Sequence, residues 1–242
     1  MKFPIHIHES PNYDDRPFRI DVDTIVLHYT GMANLEEAME RLTDSTPEAK
    51  GLGRVSAHYL IDEDGTTYAL VDERDRAWHA GVSYWRGRTN INDFSIGIEL
   101  VNPGHDHGYK PFPRQQLDSL VELCKSICKR NPIKMDHILG HSDIAPGRKI
   151  DPGEKFNWRH LARAGIGYWP EAEAEDYPRA QNYLSSPTAL RAGLVKYGYN
   201  PDVDTDTMCQ AFNRHFGRTD SATLTWEVAA SLSWLTRKII KS

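Results

Sequence analysis

The run Ser56-Ala57-His58-Tyr59-Leu60-Ile61 is followed by Asp62-Glu63-Asp64-Gly65, and the chain returns as Thr67-Tyr68-Ala69-Leu70-Val71. Two strand-forming stretches bracket a turn rich in Asp and Gly, which reads as a β-hairpin. Working outward, Thr24-Ile25-Val26-Leu27-His28-Tyr29 is a short, nearly continuous apolar run ended by Thr30-Gly31, the pattern of a buried strand. Phe94 to Leu100 and Met135 to Leu139 read as further strands. Leu35, Ala38, Met39 and Leu42 recur at i, i+3, i+4 and i+7, as do apolar residues from Leu117 to Cys128, so each stretch predicts an amphipathic helix. Pro113 stands near the start of the second. Strands and helices alternate without strict βαβ spacing, and the hairpin forces one antiparallel pair. The expected fold is therefore α/β, a mixed central sheet flanked by helices.

The two ends of the chain differ from its middle. Residues 1–23 are polar and irregular, with Pro11, Asp14, Asp15 and Pro17. The acidic stretch Glu171-Ala172-Glu173-Ala174-Glu175-Asp176, with Pro178 and Ser185-Ser186-Pro187 after it, reads as a linker or an extended connection. Beyond it come three helical patterns, over Leu190–Tyr197, Met208–Phe216 and Val228–Ile239, the first two stopped by Gly198 and Gly217. The expected organisation is a main domain over 1–170, a linker over 171–186 and a small C-terminal three-helix domain over 187–242. A unit that small is marginal alone and is expected to pack on the main domain.

Composition narrows the class. The net charge of -5 lacks the clustered basic surface that nucleic acid requires. No apolar run approaches the roughly 18 residues of a membrane span. The start, Met1-Lys2-Phe3-Pro4-Ile5, lacks an apolar h-region, so the sequence points to a cytoplasmic protein; an exported protein with its leader removed is the alternative. Three cysteines, Cys124, Cys128 and Cys209, make no disulfide framework and read as small apolar fillers.

Chemistry concentrates at two strand ends. His28 closes the first strand. The second place is His141-Ser142-Asp143-Ile144-Ala145-Pro146-Gly147-Arg148-Lys149-Ile150-Asp151-Pro152-Gly153, a Pro- and Gly-containing loop directly after a strand. Either histidine alone would be an ordinary structural residue, and Asp151-Pro152-Gly153 an ordinary turn. Together, His28, His141 and Asp151 form a ligand set suited to one Zn²⁺ ion. Lys149 lies two residues before Asp151, on the same side of an extended segment, where a cation could stabilise an oxyanion. In Ser95-Ile96-Gly97-Ile98-Glu99-Leu100 the apolar residues face one way and Ser95, Gly97 and Glu99 the other. An acid in such a strand is either on a solvated face or a general base tuned by a metal and partial burial. Gly97 beside it would leave room for a substrate.

Five ordered motifs, Leu27–Thr30, Arg54–Tyr59, Ala77–Gly81, Asn92–Leu100 and Gly140–Gly153, together resemble the type 2 N-acetylmuramoyl-L-alanine amidases. These are AmiD/AmpD-like zinc amidases related to peptidoglycan recognition proteins. The resemblance covers roughly residues 20–170. Ala211-Phe212-Asn213-Arg214-His215-Phe216 is similar to the helical, peptidoglycan-binding-like domain of the AmiD branch. The resemblance implies zinc ligands at His28, His141 and Asp151, a catalytic acid/base at Glu99 and a transition-state cation at Lys149. It places Arg54 where relatives contact the stem peptide, and makes Trp78 and His79, in a motif near the cleft, further substrate-binding candidates, with packing the alternative for Trp78. His58 reads as structural. Some relatives carry a tyrosine at the place of Ala57, and its absence puts more proton transfer on Glu99.

The function so implied is hydrolysis of the amide between N-acetylmuramic acid, or its 1,6-anhydro form, and L-alanine. The partners are peptidoglycan fragments or the sacculus. A non-catalytic muropeptide receptor and a zinc amidase for another acylated peptide are the competing readings. The full ligand set disfavours a receptor, and three ligands instead of four disfavour a structural zinc.

Overall fold

The hairpin gives the central sheet its one reversal of direction. A computed structural model describes residues 4–241. Its strands are β1 (Ile5–Ile7), β2 (Tyr13–Asp15), β3 (Thr24–Tyr29), β4 (Tyr59–Ile61), β5 (Thr67–Ala69), β6 (Asp75–Ala77), β7 (Tyr84–Trp85), β8 (Arg88–Thr89), β9 (Ser95–Leu100) and β10 (Ile138–Gly140). Among the described residues, six of them form one sheet in the order β1-β5-β4-β9-β3-β10. The β4/β5 pair is antiparallel and every other pairing in that sheet is parallel. The mixed sheet expected from the hairpin is present. β2 with β6, and β7 with β8, make separate two-stranded ribbons.

The helices are α1 (Leu35–Thr43), α2 (Arg114–Arg130), α3 (His141–Ile144), α4 (Trp158–Arg163), α5 (Tyr177–Ser185), α6 (Pro187–Tyr197), α7 (Thr205–Phe212) and α8 (Trp226–Lys241). Strand alternation sends Ile25, Leu27, Ile96, Ile98, Tyr59 and Ile61 to one face. There they pack on Leu117, Leu120, Cys124 and Ile127 of α2 and on Trp158 and Leu161 of α4. Each such fully buried Leu or Ile contributes about 2 kcal/mol relative to exposure. Cys124 and Cys209 are buried thiols in this packing and in the C-terminal core, as the filler reading expects.

The opposite face is divided. Leu60 packs with Ala38 and Leu42 of α1. Val26 and Leu139 belong to a core continuous with Tyr197, Met208, Phe212 and Leu232 of the C-terminal helices. Between these two clusters that face of the sheet carries His28 and Glu99, with a cleft over them.

Several segments depart from the sequence reading. Of the stretch 1–23, residues 1–3 lie outside the described residues and 4–23 are not wholly irregular: β1 adds to the sheet edge, and β2 pairs with β6, where Arg76 Nε donates to Asp14 at 2.6 Å. These strands are three residues long and largely exposed, too short to show a periodicity. Residues 141–144, read as loop, form one helical turn. Met135–His137 is a 3₁₀ turn, so the last strand starts at Ile138.

Residues 171–186 are not an extended connection, because Tyr177–Ser185 is helical. Pro178 and Pro187, which read as breakers, sit in the first turns of α5 and α6, where a proline costs no hydrogen bond. Asp176, read as part of a solvated acidic run, is buried, accepting from Ser233 Oγ at 3.0 Å and Arg237 Nη2 at 2.8 Å. The three expected C-terminal helices are present and a fourth joins them. Among the described residues no helix is long and apolar enough to cross a membrane.

One buried carboxylate ties the C-terminal helices to the sheet. Asp143 accepts from Gly140 N at 2.8 Å, Tyr199 Oη at 2.9 Å and His215 Nδ1 at 2.7 Å. His215 stacks on Trp158 with ring centroids 3.6 Å apart. Three hydrogen bonds at about 1 kcal/mol net each make Asp143 worth about 3 kcal/mol. Urea unfolding of Asp143→Ala should show a loss of that size; a loss below about 1 kcal/mol would remove Asp143 as the anchor.

Candidate metal centre and catalytic cleft

β3 carries His28 one residue before its end, α3 begins at His141 directly after β10, and Asp151 follows on the loop beyond. Because β3, β9 and β10 run parallel, their carboxyl ends share one edge, where open α/β sheets build ligand sites. Ser142 N–H donates to the Asp151 carbonyl at 2.9 Å, folding the loop back so that His141 and Asp151 meet.

The three side chains converge on one point. His28 Nδ1 stands 2.9 Å from His141 Nδ1 and 3.0 Å from Asp151 Oδ2, and His141 Nδ1 is 3.1 Å from that same oxygen. All three residues are buried. The Ala80 carbonyl accepts from His141 Nε2 at 3.0 Å and from Arg148 Nη2 at 2.6 Å. A neutral imidazole has one hydrogen, so with Nε2 donating, His141 Nδ1 presents a lone pair. It faces a carboxylate oxygen, which also accepts. Two buried acceptors in contact require a cation or a shared proton between them.

The donor set, two imidazole nitrogens and one carboxylate oxygen, is that of a catalytic zinc site. Bonds of 2.0–2.1 Å in tetrahedral array would set such atoms about 3.3 Å apart, close to the triangle seen. Among the described residues this is the group of His, Cys, Asp and Glu placed to hold a metal ion. Burial also favours the neutral His28 ring that a metal needs. Burial holds the His28 imidazolium down to about 4, with His141 adding to the effect.

Glu99 lies in register beside His28 on the neighbouring parallel strand, and both line the cleft. Burial pushes its carboxyl up to about 8; Asp151 adds to the shift and Lys149 opposes it. Among the described residues Glu99 Oε2 is buried without a hydrogen-bond partner. A carboxyl near neutrality with a free oxygen is suited to taking and returning a proton. Lys149 lines the same cleft of about 460 Å³.

The remaining expected residues separate. Trp78 forms part of the cleft wall, its indole Nε1 donating to Asp14 Oδ1 at 3.1 Å. His79 is at the cleft but lies under His28, with Nδ1 3.1 Å from His28 Nε2. Arg54 is outside the lining: its Nε donates to Glu48 at 3.0 Å and its side chain is 44% exposed. Its neighbours Val55 and Ser56 line the cleft instead. The room beside Gly97 goes to a protein side chain, since a Cβ there would stand 2.4 Å from His79 Cγ. His58 is structural: Gly97 N–H donates to its Nδ1 at 3.0 Å, and its Nε2 lies 3.1 Å from the Asp75 carbonyl.

Sequence reading missed Ser95, Arg148, Arg41 and Asp106. Ser95 had a signal, since alternation puts it on the Glu99 face. Arg148 lay within the chemistry-bearing loop. Arg41, on α1, and Asp106, in a turn, reach the cleft only through tertiary packing.

The Amidase_2 family, described as N-acetylmuramoyl-L-alanine amidase, matches residues 18–154. N-acetylmuramoyl-L-alanine amidase AmiD of Escherichia coli (strain K12) is 37% identical over 215 residues, covering 81% of this chain and 75% of that protein. A solved structure of E. coli AmiD with the substrate anhydro-N-acetylmuramic acid-L-Ala-D-gamma-Glu-L-Lys superposes with TM-score 0.76 and 34% identity, covering 92% of this chain and 90% of that one. AmpDh3 from Pseudomonas aeruginosa superposes with TM-score 0.78 and 33% identity over 96% of this chain and 98% of that one.

The Glu99 shift has a thermodynamic consequence in the metal-free protein. From its ordinary 4.5 up to about 8, the unfolded chain has released a proton that the folded one keeps. Stability from this group therefore falls as pH rises through that window. Glu99→Gln should remove the penalty. Urea titrations of the metal-free proteins should show the variant gaining on wild type between pH 4.5 and 8; a constant difference would contradict the shift.

Proposed function

Since the chain belongs to the N-acetylmuramoyl-L-alanine amidase family, we propose that it is a zinc-dependent hydrolase. The bond cleaved is the amide between N-acetylmuramic acid, or its 1,6-anhydro form, and the L-alanine of the stem peptide. The observation that carries this reading is the buried triangle of possible ligand atoms, His28 Nδ1, His141 Nδ1 and Asp151 Oδ2, beside an unpartnered Glu99 oxygen. The substrate class is supported by the relative solved in complex with an anhydromuramyl peptide.

His28, His141 and Asp151 would hold the ion. Zinc so held supplies Lewis acidity, acidifying water and polarising a carbonyl oxygen. Glu99 takes the proton from the attacking water with its free Oε2. The Lys149 ammonium offsets the charge that develops on the carbonyl oxygen. Glu99 then returns the proton to the departing alanine nitrogen, so that the amine leaves neutral. Trp78, fixed by Asp14, gives the cleft a flat apolar wall for the substrate.

The direct test is a digest of anhydro-muropeptide and of intact sacculi, read by mass spectrometry with and without chelator. Free stem peptide should appear, stop on chelation and return with zinc; the preferred substrate also separates fragment recycling from wall lysis. Glu99→Gln should retain stoichiometric zinc and lose at least about 10²-fold in kcat. Lys149→Ala should lose about 10²- to 10³-fold. Zinc bound with no peptide released from either substrate would point to another amide. No zinc bound would favour a receptor.

A further inference from the structure

We propose that His79 and Ser95 are positioning residues that direct the hydrogen of His28 to Nε2 and so present Nδ1, bare, to the metal. The inference rests on the zinc reading above and concerns how this chain prepares its ligands.

The hydrogen bonds run one way when followed from their far end. The Ile91 carbonyl has no hydrogen to give. Ser95 Oγ lies 2.6 Å from it, so the single hydroxyl hydrogen points there. Ser95 Oγ is then left only to accept from His79 Nε2, 3.1 Å away. With its hydrogen on Nε2, a neutral His79 ring offers a lone pair at Nδ1. That lone pair faces His28 Nε2 at 3.1 Å, so His28 donates from Nε2 and its Nδ1 carries no hydrogen. The His79 ring is buried, with the rings of His28 and His58 set edge-on to it.

The same short segment serves the second histidine. The Ala80 carbonyl, next in the chain, takes the Nε2 hydrogen of His141. Thus His79-Ala80 orders both imidazoles, one through a ring and one through a carbonyl. Asn92 fixes the pair: its Oδ1 accepts from His79 N at 3.1 Å and from Ala80 N at 2.8 Å. Gly97 leaves the His79 ring its place, because any Cβ there would collide with it. The arrangement is that of an outer layer which fixes ligand tautomers and orientation. It gives His79 a role toward the ion, apart from any contact with substrate.

Two measurements test this. Imidazole ¹⁵N–¹H NMR, on metal-free and zinc-loaded protein, should find the His28 hydrogen on Nε2 in both. Zinc affinity against a chromophoric chelator should fall about 10- to 100-fold in His79→Leu, which removes the acceptor. His79→Asn, whose side-chain oxygen can accept from His28, should recover most of that loss. Ser95→Ala, a small excision, should lower affinity in the same direction and supplies the answer if His79→Leu does not fold. A His28 hydrogen confined to Nδ1, or unchanged affinity in Ser95→Ala and in folded His79→Leu, would overturn the proposal. Wild type that binds no zinc while keeping the hydrogen on Nε2 would overturn the zinc reading and leave the chain of hydrogen bonds standing.

Discussion

Three acceptor atoms crowded within about 3 Å of one another and shut away from water repel each other, and the chain around them is arranged to hold them there. Nothing in the triangle attracts its members once both imidazoles donate from their far nitrogens. The position is maintained from outside. β3 fixes His28 by its ladder with β9 and β10, the main-chain bond from Ser142 to Asp151 closes the loop, and the Ala80 carbonyl and the His79 ring hold the far sides of the two imidazoles. An ion entering the triangle converts that repulsion into ligation. Its binding free energy therefore adds to folding stability, as expected where a site is preformed only in the folded state.

This arrangement depends on a sheet whose two faces do different work. One face is closed by α2 and α4 over a large apolar core. The other is closed only at its flanks, by α1 and by the C-terminal helices, and the uncovered part carries His28 and Glu99. Burial sets the character of Glu99: its carboxyl rises toward neutrality because desolvation, reinforced by Asp151, outweighs the attraction of Lys149. The same burial has the opposite effect on His28, favouring the neutral ring that can ligate.

The turn that begins with His141 also receives the C-terminal helices. Asp143, two residues after the ligand, takes hydrogens from Tyr199 and His215, and Trp85 packs edge-on to Tyr197 and Tyr199. The helices and the site are thus built on one short stretch of backbone, with a core that runs without interruption from Val26 and Leu139 to Phe212 and Leu232.

The periodicities determined the central elements by themselves: α1, α2, the hairpin, β3 and β9 follow from apolar spacing, which is local information. Alternation in β9 likewise put Glu99 and Ser95 on one face, and the loop after β10 showed its ligands as a Pro- and Gly-punctuated run of His, Lys and Asp. The tertiary structure decided what depends on partners distant in sequence. Asp176, Pro178 and Pro187 read as parts of a linker until Arg237 and Ser233 meet the acid and the prolines prove to be helix starts. Gly97 looked like space for a ligand and instead makes space for His79, eighteen residues earlier in the chain, in the loop after β6. Arg54, next to the cleft in sequence, turns outward to Glu48, while Arg41 reaches the cleft from α1. A side chain's type and spacing are written in the sequence. Which hydrogen it donates, and to what, is set only when the fold brings its partner within 3 Å.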